Sequence, residues 1–180
     1  MRPPSGLTQL YTGNGKGKTS AALGLALRAA GHGMRVRIVQ FAKATDVASG
    51  EVVALRDIPE IELVRFGDSS VWGGLMPARD LPREAEVAAR EAFTFAREAM
   101  MSGRFDVVVL DEICAVVALG LVEEDQVLEL IATRPPRIEL VLTGRGATAK
   151  LVAACDLVTE MADVRHPAER GAGMRKGIEY

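Results

Sequence analysis

The sequence predicts an α/β fold built on a mostly parallel central sheet with helices on its faces. Three observations carry that expectation. Apolar, β-favouring runs alternate with helical patterns from end to end, as repeated βαβ units require. Residues 105–110 are almost entirely apolar, as expected of a strand buried on both faces. A glycine-rich stretch, residues 12–20, joins the first strand to the first helix. At 180 residues the chain suits one domain over 1–180, with residues 1–5 flexible and 166–180 forming a C-terminal arm.

The elements follow in order. A strand at 7–11 runs into the glycine-rich loop, and an Ala-rich helix over 20–30 stops at Gly31-His32-Gly33. A strand at 34–41 precedes a polar stretch and a short helix around 51–57, and a third strand fits 61–66. Residues 67–82 hold Gly67, Gly73, Gly74, Pro77 and Pro82 around Trp72, a long loop of the kind that often carries function. A helix over about 83–101 leads to the 105–110 strand. A helix over 123–133 leads, past Pro135-Pro136, to a strand at 138–143. A short helix at 147–154 and a strand near 157–161 complete the alternation, and the arm beyond them carries three glycines and five charged residues.

Composition narrows the function classes. Hydrophobic residues make up 48% of the chain, enough for a sizeable core. Basic and acidic residues nearly balance, 22 against 24, for a net charge of −2, which argues against non-specific nucleic-acid binding. Cys114 and Cys155 lie far apart with no CxxC spacing, so reduced thiols are expected rather than a disulfide scaffold or zinc ribbon. The N-terminus has no apolar h-region, and no stretch approaches the roughly 18 apolar residues of a membrane span. The expectation is a cytoplasmic protein with no membrane or nucleic-acid partner.

Residues 12–20, Thr-Gly-Asn-Gly-Lys-Gly-Lys-Thr-Ser, are the sharpest signal. A P-loop is a strand, then GxxxxGK[ST], then a helix, and its backbone N–H groups and helix dipole attract phosphate. Gly17-Lys18-Thr19 supply its end in the right context. Lys18 is expected on the terminal phosphates and the Thr19 hydroxyl on Mg²⁺, while Gly13 and Gly15 let the backbone approach anionic oxygens. Asn14, Lys16, Gly17 and Ser20 complete the expected ATP contacts. The first glycine is displaced: Thr12 occupies its usual position and Gly13 follows.

Two further elements converge on the same chemistry. Val107-Val108-Val109-Leu110-Asp111-Glu112 resembles a Walker B element, whose carboxylate holds Mg²⁺ directly or through water. Asp111 capping a helix is the structural alternative, and Glu112 orienting a hydrolytic water keeps an ATPase open. Leu142-Thr143-Gly144-Arg145-Gly146 follows another buried strand and should emerge on the same sheet edge. Arg145 there either grips a phosphate bidentately or is a solvated loop arginine.

The ordered set resembles one family, the ATP:corrinoid adenosyltransferases. The resemblance covers nearly the whole chain. It rests on the displaced-glycine loop at 12–19, Arg28-Ala-Ala-Gly-His-Gly33, Val39-Gln40-Phe41, Val108-Val-Leu-Asp-Glu-Ile113 and Arg134-Pro135. It continues through Val141-Leu-Thr-Gly-Arg145, Asp156-Leu-Val-Thr-Glu-Met161, the His166 region and Gly177-Ile178-Glu179. The resemblance implies a RecA-like P-loop fold in three layers and a homodimer. It implies transfer of the 5′-deoxyadenosyl group of ATP to a corrinoid Co(I), with release of triphosphate, in cobalamin biosynthesis or salvage. ATP would lie reversed in the loop relative to ordinary P-loop enzymes, and a reductase or flavoprotein would supply the electrons.

Because Co(I) is itself a strong nucleophile, no activated Ser, Cys or Lys is needed. Lys18 and Arg145 are then the expected catalytic residues, acting on the departing triphosphate, with Thr19, Asp111 and Glu112 around the metal. The family's Gly-Phe-Thr-Trp appears here as Ser69-Ser70-Val71-Trp72. Trp72 is carried over as a corrinoid contact, Ser70 replaces the phenylalanine, and Phe66, or Leu75 and Met76, would cover the ring instead. Trp72 anchoring a long loop is the structural alternative. A RecA-like ATPase or small-molecule kinase, and a non-catalytic ATP/corrinoid sensor, are the competing functions.

Overall fold

The computed structural model describes residues 5–43, 49–67, 81–165, 173 and 175–178. Among them, β1 (Thr8–Thr12), β2 (Val36–Phe41), β3 (Ile61–Phe66), β4 (Val107–Asp111), β5 (Glu139–Thr143) and β6 (Leu157–Glu160) form one sheet. Its order is β3-β2-β4-β5-β1-β6, and every pairing is parallel. The carboxyl ends of all six strands therefore lie along one edge, where open α/β folds bind ligands. β5 stands between β1, which feeds the glycine loop, and β4, which ends in Asp111.

Both faces are covered. α1 (Lys18–Ala30) and α2 (Gly50–Leu55) lie on one face, where Ala22, Ala26, Val36, Ile38, Val109 and Val141 share a buried cluster. Alanines on α1 keep that helix close to the strands, since small side chains let backbones approach. α3 (Arg83–Met101), α4 (Ile113–Ala118), α5 (Glu124–Ala132) and α6 (Ala149–Ala154) cover the other face around Val108, Leu110, Leu140 and Leu142. α3 contributes Ala85, Ala89, Ala92, Phe93, Ala96 and Met100 to the buried set, the three-and-four spacing of an amphipathic helix. This is an α/β, three-layer sandwich of the RecA-like P-loop type. Among the described residues no helix is long and apolar enough to cross a membrane.

Two expectations change in detail. Strand β4 begins at Val107 rather than 105 and takes in Asp111, so Asp111 is a strand residue and not a helix cap. The helix after it, α4, was not foreseen. Its sequence, Ile-Cys-Ala-Val-Val-Ala, is apolar on every side and has no helical period to read. Its N-cap is Glu112, in the left-handed region at φ 69°.

Candidate functional site

Between β1 and α1 the chain folds around an inward-turned lysine. Lys18 is 6% exposed, and its Nζ donates to the carbonyls of Gly13 and Gly15 at 2.7 Å each. The ammonium thus ties the loop to itself. Burial pulls the Lys18 pKa below its ordinary value, and the Glu112 carboxylate partly restores it. Gly17 caps α1 with φ 115° and no side-chain bond, which leaves the first-turn N–H groups of a 13-residue helix for an anion.

The two early glycines are required for a reason the sequence did not expose. A Cβ on Gly15 would lie 2.6 Å from the carbonyl oxygen of Ala162 and 2.7 Å from that of Met161, and the Gly15 N–H donates to Met161 O at 2.7 Å. Gly13, at φ 92°, meets the same backbone. Their smallness lets the loop dock on the segment after β6. That contact is one these glycines make possible.

A cleft of about 510 Å³ opens over the loop. Among the described residues, Lys16, Lys18, Lys43 and Arg145 line it, opposed by Glu51 and Glu112. Four cations against two carboxylates make it attractive to a polyanion. Thr19 and Ser20 line it as well, whereas Gly13 and Asn14 lie outside its lining. Gly177 and Ile178 close one side, and Lys16 Nζ donates to Ile178 O at 2.9 Å.

Behind Thr19 sits a buried polar network. Thr19 Oγ1 donates to Asp111 Oδ1 at 2.8 Å, and Thr143 Oγ1 donates to the same oxygen at 2.7 Å. Gln40 Nε2 donates to Asp111 Oδ2 at 3.0 Å. Thr143 Oγ1 in turn accepts the Glu112 N–H at 2.9 Å. Asp111 is 1% exposed, so it faces the cleft only through Thr19. Glu112 is the carboxylate that lines the cleft itself. Sequence reasoning missed Gln40 and Thr143. A glutamine set among Ile38, Val39 and Phe41 of a predicted strand was the available signal, since buried polar side chains need a partner.

Among the described residues no three His, Cys, Asp or Glu side chains gather to cage a metal. The donors present, the Thr19 hydroxyl and one carboxylate, fit a hard cation that also takes substrate phosphates and water.

Burial raises the Glu112 pKa, with the Asp111 charge adding to it. A raised carboxyl pKa destabilises the folded chain as pH climbs from the unfolded value, because the unfolded chain releases its proton first. Glu112→Gln should therefore raise the Tm of the ligand-free protein at about pH 8 and bring no gain near pH 4. An equal gain at both pH values would contradict this.

Arg145 follows β5 in a turn held by α4. A Cβ on Gly144 would lie 2.9 Å from Ala115 N, so the turn lies directly against the unforeseen helix and projects Arg145 into the cleft. Burial pushes the Cys114 thiol up to about 12 and Cys155 to about 11, which disfavours the thiolate at both. Phe66 ends β3 on the same sheet edge, half-buried, with its ring 5.5 Å from that of Phe95. It faces a groove of about 480 Å³ along α3 rather than the cleft. Its carbonyl accepts the N–H of Lys43, which lines the cleft, at 3.2 Å. Trp72, Leu75, Met76 and His166 lie outside the described residues.

Residues 4–180 match the family model described as ATP:corrinoid adenosyltransferase BtuR/CobO/CobP. The chain is 36% identical over 180 residues to a corrinoid adenosyltransferase of Pseudomonas aeruginosa, covering 99% of this chain and 86% of that one. It is 35% identical over 176 residues to a corrinoid adenosyltransferase of Escherichia coli, covering 97% and 86%. The corrinoid adenosyltransferase CobA of Salmonella typhimurium gives the same identity over the same shares. With the P-loop, the cationic cleft and the parallel sheet beneath them, these matches show that the chain belongs to the ATP:corrinoid adenosyltransferases, enzymes that adenosylate corrinoids.

Proposed function

We propose that the chain transfers the 5′-deoxyadenosyl group of ATP to the Co(I) of a corrinoid and releases inorganic triphosphate, in cobalamin biosynthesis or salvage. The observation that carries this reading is a cleft that offers, among its described residues, four cations and a helix N-terminus to a polyanion and no cysteine or histidine. Both reacting partners are then substrates. The cobalt electron pair forms the Co–C5′ bond, the C5′–O5′ bond breaks, and its pair leaves on the triphosphate.

The protein's part is alignment and charge stabilisation. Lys16, Lys18, Arg145 and the first-turn N–H groups of α1 hold the phosphates, and their charge is worth more as negative charge builds on the leaving oxygen. Thr19 and Glu112 would hold Mg²⁺, with Asp111 orienting Thr19; the ion would neutralise phosphate charge. An ammonium carries several N–H donors, so the bond that Lys16 gives the Ile178 carbonyl does not bar it from a phosphate. On the corrinoid side, Phe66 at the sheet edge and Trp72 are the proposed contacts. A reductase or flavoprotein supplies the electrons, and the working form is a homodimer.

The test is spectroscopic. Mixed with ATP, Mg²⁺, a reductant and cob(II)alamin, the protein should abolish the Co(I) signal and produce a light-sensitive alkylcobalamin. Nucleotide and corrinoid binding without that change would favour a sensor.

A further inference from the structure

β2 is buried along its whole length. Among Val36, Ile38, Val39 and Phe41, Gln40 stands at 0% exposed. Strand alternation puts it on the face of Val36 and Ile38, beneath α1. The β2–β4 register sets it directly beside Asp111. An ionised carboxylate only accepts, so the amide must turn its NH₂ to Asp111. Its Oε1 then points elsewhere, and that buried oxygen finds no donor among the described residues. A group left in that condition calls for an explanation.

The explanation lies in what the NH₂ does to Asp111. With Oδ2 tied to Gln40, Oδ1 takes both the Thr19 and the Thr143 hydroxyl hydrogens. A Thr19 proton committed inward leaves the hydroxyl lone pairs to face the cleft. If Asp111 rotated, Thr19 would lose its fixed acceptor and that direction with it.

We propose that Gln40 is a positioning residue for metal·ATP, acting through Asp111 to aim the Thr19 oxygen at the cation. The proposal rests on the reading of Thr19 as a ligand of Mg²⁺ carried with ATP. It concerns binding, so its test does not depend on turnover.

ATP affinity of the full chain is measured by titration calorimetry in Mg²⁺ and in EDTA, for wild type and Gln40→Met, with Gln40→Asn as the milder second variant. Partners that orient a ligand typically contribute 10–100-fold to metal affinity. The Mg²⁺-dependent gain in ATP affinity should fall about 10-fold or more in the variants, while affinity in EDTA stays within roughly 3-fold, about 0.65 kcal/mol. In a Thr19→Val background, Gln40→Met should have no further effect on that gain, because the two residues act in series. An unchanged Mg²⁺ gain, an equal loss with and without metal, or effects that multiply in the double variant would each overturn the proposal. A wild-type protein with no Mg²⁺ gain would instead overturn the reading of Thr19, a failure visible before any variant is made.

Discussion

Gly15→Ala should abolish triphosphate binding and destabilise the fold together. The added methyl would sit 2.6 Å and 2.7 Å from two backbone carbonyl oxygens, atoms that cannot swing aside as a side-chain end can. Overpacking of this kind costs about 1–3 kcal/mol, and the Gly15–Met161 hydrogen bond would go with it. For a chain of this length, 1 kcal/mol moves Tm by roughly 2–4 °C. Thermal unfolding and ATP titration read the two effects. Retained binding with a lowered Tm would mean that the 161–162 segment yields and the loop keeps its shape.

Lys18→Ala should cost both function and fold. The ammonium is bonded to Gly13 O and Gly15 O, charge-assisted contacts of about 1.5–3 kcal/mol each, so the ligand-free loop should loosen. Losing a preorganised donor at a developing anion typically lowers kcat about 10²–10³-fold. Single-turnover adenosylation at saturating ATP separates that loss from weakened binding. A variant that loses only affinity, with its single-turnover rate intact, would restrict Lys18 to holding the loop and the ground-state phosphates.

Much of this was legible in the sequence because the signals are local. The strand, Gly17-Lys18-Thr19 and the Ala-rich helix sit side by side, and their order alone marks a phosphate site. Asp111 and Arg145 could be placed on the same edge because each ends an apolar run, and parallel strands share a carboxyl edge. The rest depends on pairing between distant residues. Met161 and Ala162 meet Gly13 and Gly15 only because β6 lies beside β1. Gln40 meets Asp111 only through the β2–β4 register. α4 has no polar face to give it a period, and its left-handed N-cap at Glu112 is not a residue type from which such a turn is read. The packing of the Phe66 ring against Phe95 beside the α3 groove likewise joins residues far apart in the chain.

The cleft's own geometry keeps one competing chemistry specific. Glu112 lines the cleft beside the Thr19 and Lys18 side chains, where a carboxylate could also orient water toward a phosphate. The two chemistries break different bonds of ATP. The direct measurement is the fate of γ-labelled ATP during adenosylation of Co(I) corrinoid, with product phosphates resolved by chromatography. Alkyl transfer predicts label in inorganic tripolyphosphate, one per Co–C bond formed, and none released without corrinoid. Label in orthophosphate alongside ADP, independent of corrinoid, would contradict it.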